Sequence, residues 1–178
     1  MSDDRDGVTA PAAVNRDAIT LRPVTDADYQ FLESLYYSTR EDELQHFPFD
    51  DEQKRQFIAQ QFAAQTEHYR IHYPTARFCV IELNGERIGR IYVDEWASQI
   101  RLVDIAIVPA HRGSGIGTTL LREVLEQGVA ANKPVTIHVE AYNPALRLYR
   151  RLGFTQIDTN GIYFLMEWCP PGYVKTAS

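Results

Sequence analysis

The chain has 178 residues, 44% of them hydrophobic and 24% charged, the size and composition of one ordinary globular domain with a real core. A net charge of −6 with no basic stripe argues against nucleic acid, and the two cysteines, Cys79 and Cys169, are too few for a disulfide framework and sit in no metal-like spacing. No apolar run is long enough to span a bilayer, and the acidic start Met1-Ser2-Asp3-Asp4-Arg5-Asp6 lacks the basic and apolar regions of a signal peptide, so the expected compartment is the cytoplasm.

Residues 1–17 are polar, small and proline-containing and read as a disordered tail; one domain is expected over residues 18–170, with a short tail over 171–178. Residues 19–23 read as a first strand. Thr25-Asp26-Ala27-Asp28 has the form of a capping box with Asp in place of Glu. It opens a helix whose apolar face is Phe31, Leu32, Leu35 and Tyr36. A polar stretch over 38–49 reads as a loop leading to Asp50-Asp51-Glu52, three acids suited to a second helix start. Phe57, Ile58, Gln61, Phe62 and Tyr69 mark that helix's inner face, and Pro74 ends it.

Residues 77–83 and 87–93 are strands around Asn84-Gly85, a strong hairpin signal, and Gly89 marks a bulge or a close backbone approach. Residues 101–108 form a strand stopped by Pro109. After it Ile116, Leu120, Leu121, Val124, Leu125 and Val129 recur at helical spacing as far as Asn132. Residues 135–141 are another strand, parallel to the preceding one if the two pair. Asn143 is the expected cap of the next helix, Pro144 its first residue and Gly153 its C′ position. A last hairpin joins 154–158 to 162–168 around Asn160-Gly161. No repeat or linker interrupts this order, which is that of one mixed α/β domain.

The run Arg112-Gly113-Ser114-Gly115-Ile116-Gly117 sits where a strand gives way to a helix. Such a turn presents unpaired backbone N–H groups at the positive end of the helix dipole, a site for a phosphate or pyrophosphate. It is not a Walker loop, because Gly117 is followed by Thr118-Thr119 and not by Lys-Ser/Thr. Nor is it a dinucleotide fingerprint, because the frame from Gly113 places Thr118 where the third glycine belongs.

Downstream lies Asn143-Pro144-Ala145-Leu146-Arg147-Leu148-Tyr149-Arg150-Arg151-Leu152-Gly153-Phe154. The ordered set of R-x-x-G-x-G, strand and N…LY…GF resembles the GNAT superfamily of acyl-CoA-dependent N-acetyltransferases. The resemblance covers roughly residues 19–168 and is sharpest over 103–154. It implies a GNAT-like fold: a central, mostly antiparallel sheet with one splayed parallel strand pair, flanked by helices. Acetyl-CoA is the implied cosubstrate, with no metal. Its pyrophosphate would lie on Arg112, Gly113, Ser114, Gly115, Ile116 and Gly117. The backbone of Ile105, Ala106 and Ile107 would pair with the pantetheine arm, as would Asn143. The implied reaction is transfer of an acetyl group to a primary amine by direct attack. The acceptor, a small molecule or a peptide, is not specified. Neither a nucleic-acid nor a membrane partner is expected, and a homodimer is compatible with the sequence. A non-catalytic acyl-CoA-binding regulatory module is the rival reading.

Tyr149 lies on the stripe Ala145, Leu148, Tyr149, Leu152, which by itself describes a core residue; the resemblance assigns it protonation of the departing thiolate. Asn143 precedes it by one residue fewer than in many family members. A base is also needed, since an alkyl amine with a pKa near 10.4 is about 99.9% protonated at pH 7. Period-two geometry puts Thr136, His138 and Glu140 on one strand face. Glu140 and His138 are therefore catalytic candidates, Asp104 on the adjacent strand is a third, and a water chain is an alternative. His68 and His72 have a metal-compatible spacing but no third ligand. By resemblance, Arg40-Glu41-Asp42-Glu43, Phe47 and Phe49 fall where the family builds its acceptor pocket.

Overall fold

A computed structural model of the protein describes residues 14–175; the expectations for residues 1–13 and 176–178 fall outside the described residues. Seven strands, β1 (Ile19–Pro23), β2 (Arg77–Leu83), β3 (Glu86–Glu95), β4 (Ile100–Ile107), β5 (Val135–Glu140), β6 (Thr155–Asn160) and β7 (Tyr163–Trp168), form one sheet in the order β1-β2-β3-β4-β5-β7-β6. Every neighbouring pair is antiparallel except β4 and β5, joined in parallel through helix α3 (Ile116–Ala131). Helices α1 (Tyr29–Leu44), α2 (Asp51–His72) and α4 (Leu146–Arg151) complete the mixed α/β fold expected from the sequence.

Strand alternation divides the core. On β3, Ile91 and Val93 join the larger apolar cluster, which includes Leu120, Leu121 and Val124 of α3 and Leu146 and Tyr149 of α4. Arg90 and Tyr92 point the other way, toward Phe62 of α2, beside a smaller cluster of Leu32, Leu35, Tyr36, Leu44, Ile58 and Phe62. The helices thus lie on both faces, α1 and α2 on one and α3 on the other.

Several sequence expectations are corrected. α1 does not stop near Tyr37 but runs to Leu44: the polar run over 38–43 continues the helix, Thr39, Glu41, Asp42 and Glu43 exposed and Ser38 and Arg40 half-buried, to buried Leu44. α4 begins at Leu146, and Asn143 instead caps the turn before it, its Oδ1 accepting the Ala145 N–H at 2.9 Å. Gln61 and Val129 face solvent. In the segment read as a tail, Asn15 caps a 3-10 turn and Arg16 pairs with Glu123 of α3. The end of α4 is as expected: Gly153 N–H bonds to Arg150 O and Phe154 N–H to Tyr149 O, the paired bonds of a Schellman motif.

The feature that positions the site is a wedge between β4 and β5. They pair only at Ile100↔Val135 and Arg101↔Thr136, although both strands continue. On its other edge β4 shifts register against β3 between Tyr92↔Asp104 and Val93↔Leu102, leaving Val103 as an extra residue. Such a bulge bends its strand and increases local twist, which turns β4 away from β5. Gly89 supports the bent strand: a Cβ there would lie 2.4 Å from the Ala106 carbonyl oxygen, so only glycine admits this approach. The β2–β3 register shift falls at the same place, so the bulge and the close approach coincide.

Candidate active site

The turn after β4 is a row of free donors. Pro109–His111 form a 3-10 turn, and Gly115 then caps α3 at φ +89°, a left-handed conformation that a β-branched residue adopts only under strain. Nothing lies within 4 Å of a Cβ built there, so the constraint is the backbone angle and not crowding. No side chain caps α3. The N–H groups of Gly113, Ser114, Gly115, Ile116, Gly117 and Thr118 find no acceptor among the described residues; the first helical bond is Thr119 N–H to Gly115 O at 3.0 Å. Ser114 turns its hydroxyl inward, to His111 O at 2.6 Å. A Cβ at Gly117 would meet only ordinary contacts, at 3.6 Å and beyond.

Arg112 does not reach over this row. Its Nε donates to Ile107 O at 2.8 Å and its Nη2 to the Ser38 hydroxyl at 3.2 Å, clamping the end of β4 to α1. Ile105, Ala106 and Ile107 pair with Ile91, Arg90 and Gly89 on the β3 side, and on the β5 side they border the wedge with no ladder partner. Tyr149 of α4 is buried in the larger cluster, its ring edge-on to Phe154 at 5.7 Å. Burial first, and the Asp104 charge second, hold its hydroxyl well above the usual tyrosine range, so it keeps its proton.

His138 and Glu140 share one face of β5, as strand period predicts, and Asp104 stands on the adjacent strand β4; each is held by an arginine. Arg90 Nη2 lies 2.5 Å from Asp104 Oδ2 and 2.8 Å from Gln65 Oε1. Arg101 Nη1 lies 2.7 Å from His138 Nδ1. Arg40 Nη1 lies 2.9 Å from both Glu140 Oε1 and Glu43 Oε1, and the Tyr163 hydroxyl reaches Glu140 at 3.4 Å. An arginine can only donate, so His138 Nδ1 accepts and the ring proton sits on Nε2. Desolvation and the Arg101 charge hold that imidazole below its ordinary pKa, hence neutral. Burial works against the charge on Arg90 and Arg40, yet their acidic partners keep both fully cationic.

Sequence reasoning missed Arg90 and Arg101. Arg90 alternates with Ile91 in a pattern that reads as a solvent-facing strand side, and nothing local indicates that α2 covers it. His68 and His72 stack at 4.1 Å on the exposed face of α2, and among the described residues no group of three metal-ligating side chains converges. No helix among them is long and apolar enough to cross a membrane.

The model of the Acetyltransferase (GNAT) family matches residues 32–154, which hold the wedge, the donor row and Tyr149. The chain belongs to this family. Among curated proteins it is 31% identical over 83 residues to a streptothricin acetyltransferase of Streptomyces lavendulae, covering 43% of each chain. It is 29% identical over 85 residues to the [ribosomal protein bS18]-alanine N-acetyltransferase of Haemophilus influenzae, covering 46% of this chain and 56% of that one. The chain thus matches about half the length of these curated relatives. Among solved structures, the fold resembles the PaiA N-acetyltransferase of Thermoplasma acidophilum in complex with coenzyme A, with a TM-score of 0.65 at 21% identity over 85% of this chain and 98% of that one. It also resembles the spermidine N-acetyltransferase of Vibrio cholerae in complex with CoA and spermine, with a TM-score of 0.58 at 22% identity over 88% and 98%.

Proposed function

We propose that this GNAT chain is an acetyl-CoA-dependent N-acetyltransferase that transfers an acetyl group to a primary amine by direct attack. The observation that carries the reading is the juxtaposition of six free N–H groups at the start of α3 with the open edge of β4. The donor row suits a pyrophosphate: charge-assisted bonds contribute about 1.5–3 kcal/mol each, and the helix dipole adds to them. The free edge of β4 suits an extended arm carrying amide groups, which would pair with it as a further strand does. The residues present therefore fit coenzyme A. When bound, acetyl-CoA supplies an activated thioester.

The chain's own groups do the rest. N–H groups around Ile105 to Ile107 hold the carbonyl oxygen as its charge develops. Tyr149, kept protonated by burial, donates its proton to the sulfur. Asn143 orders the turn that leads into α4. Glu140 takes the amine proton, directly or through water. It is favoured because it ends β5 beside exposed Tyr142 and Tyr163, whereas His138 has committed its basic nitrogen to Arg101 and Asp104 lies behind the buried Arg90. One observation favours the other reading, a non-catalytic acyl-CoA-binding module: every candidate base already holds an arginine. The relatives' names span streptothricin, a protein alanine and spermidine, so they support the reaction class and leave the acceptor open. The reading places the chain in the cytoplasm, in keeping with its two free cysteines. The test is thiol release from acetyl-CoA across a panel of polyamines, peptides and amino acids, with product masses. An increase of 42 Da in one amine class is expected; coenzyme A binding without transfer to any amine would leave the regulatory module.

A further inference from the structure

A cavity of about 560 Å³ opens on the α1/α2 face, over β2 and β3 and not over the β4–β5 wedge. Its lining comes from the loop after β1, from α1 and α2, and from β2 and β3; no residue of β4, β5, α3 or α4 takes part. Five rings wall it: Tyr29, Phe62, Tyr69, Phe78 and Tyr92. Thr25, Asp26, Thr66 and Arg70 stand exposed at the mouth, while Phe62, Arg90 and Tyr92 are buried at the floor. A cavity of this size with aromatic walls and few polar groups has the make-up of a small-molecule site.

Its floor is rich in donors. Arg90 is only 3% exposed, and its Nη2 serves both Gln65 and Asp104 while its Nε is buried with no acceptor. A buried unpaired guanidinium N–H costs free energy until an acceptor reaches it. Tyr69 and Tyr92 add two hydroxyls that stay protonated, because burial raises the pKa of both. The lining carries two arginines, Arg70 and Arg90, against one acid, Asp26. Asp104 behind the floor balances the Arg90 charge but leaves Nε unpaired, so a carboxylate oxygen entering from the cavity would supply the missing acceptor, with Arg70 at the mouth as its counter-charge. We propose that this cavity is a second ligand site that takes a planar aromatic monocarboxylate, its ring among the five aromatic side chains and its carboxylate on Arg90. The Arg90–Asp104 pair links this site to β4, which borders the wedge.

The experiment is calorimetric titration of the full chain with 2-naphthylacetate, 2-naphthylethanol and coenzyme A, repeated with Thr66→Trp and Tyr69→Phe. Thr66 is exposed on α2, so Trp there fills the mouth without touching the core; Tyr69→Phe removes one floor donor and keeps the ring. The carboxylate is expected to bind one-to-one and at least tenfold tighter than the alcohol. Thr66→Trp should weaken it tenfold or more and Tyr69→Phe severalfold, with coenzyme A affinity within twofold of wild type in both. Absence of carboxylate binding, equal binding of the alcohol, or undiminished binding to Thr66→Trp overturns the proposal. Displacement by coenzyme A, or competition with an amine acceptor in turnover, would also overturn it, since the probe would then occupy the wedge.

Discussion

Removing the Tyr149 hydroxyl leaves a ring that still packs edge-on against Phe154, so Tyr149→Phe separates the residue's two roles. Fold and coenzyme affinity should hardly change, while single-turnover transfer should fall about 10- to 10³-fold, the lower part of the acid–base range because a thiolate with a pKa near 8.5 leaves fairly well unaided. Wild-type single-turnover rates across pH would make Tyr149 a packing residue. Glu140→Gln should remove the acidic limb of kcat/KM; a retained limb would move the base to His138, Asp104 or water. Asp28 offers a stability test. Its buried carboxylate takes both Arg22 terminal nitrogens at 2.8 Å, which with Thr25 and Arg87 holds it far below the usual carboxylate range. A depressed folded-state pKa stabilises the fold above the ordinary Asp pKa of about 3.9, and that stability is lost as pH falls below it. Asp28→Asn should cost about 2–3 kcal/mol at pH 7, less than a fully buried pair because Arg22 keeps a third of its surface exposed, and should flatten the fall in melting temperature between about pH 5 and 2. An unchanged acid slope would contradict this.

Whether an element could be read from sequence tracks how local its causes are. The hairpin at Asn84-Gly85 and, Val129 apart, the apolar stripe of α3 are written within a few residues of themselves, and both form as expected. The donor row is equally local, because it follows from glycines at a strand-to-helix junction. The far half of α1 was not legible: its exposed polar face looks like a loop, and Arg40 finds Glu140 a hundred positions away in sequence. For the same reason the candidate bases could be placed on one face by strand period, yet their arginines could not be paired to them. The wedge was expected from the resemblance, and the bulge at Val103 gives its physical cause. Gly115 is where an element-scale test falls. A β-branched residue there opposes φ +89° and tilts the N–H groups that follow, so Gly115→Val should weaken coenzyme A binding tenfold or more while the core under α3 stays intact.

At the scale of the whole molecule, the bulged sheet opens one wedge. The start of α3 follows the end of β4 that borders it, α4 packs Tyr149 into the core cluster, and α1 and α2 cover the face where Asp104, His138 and Glu140 collect. The central claim is that this wedge holds coenzyme A. Isothermal titration of coenzyme A into the wild-type chain and into Gly115→Val tests it most directly. The account predicts one-to-one binding to the wild type and binding at least tenfold weaker to the variant. Absence of binding heat in the wild type, checked by an equally flat thermal-shift titration, or equal affinity in the two proteins, would contradict it.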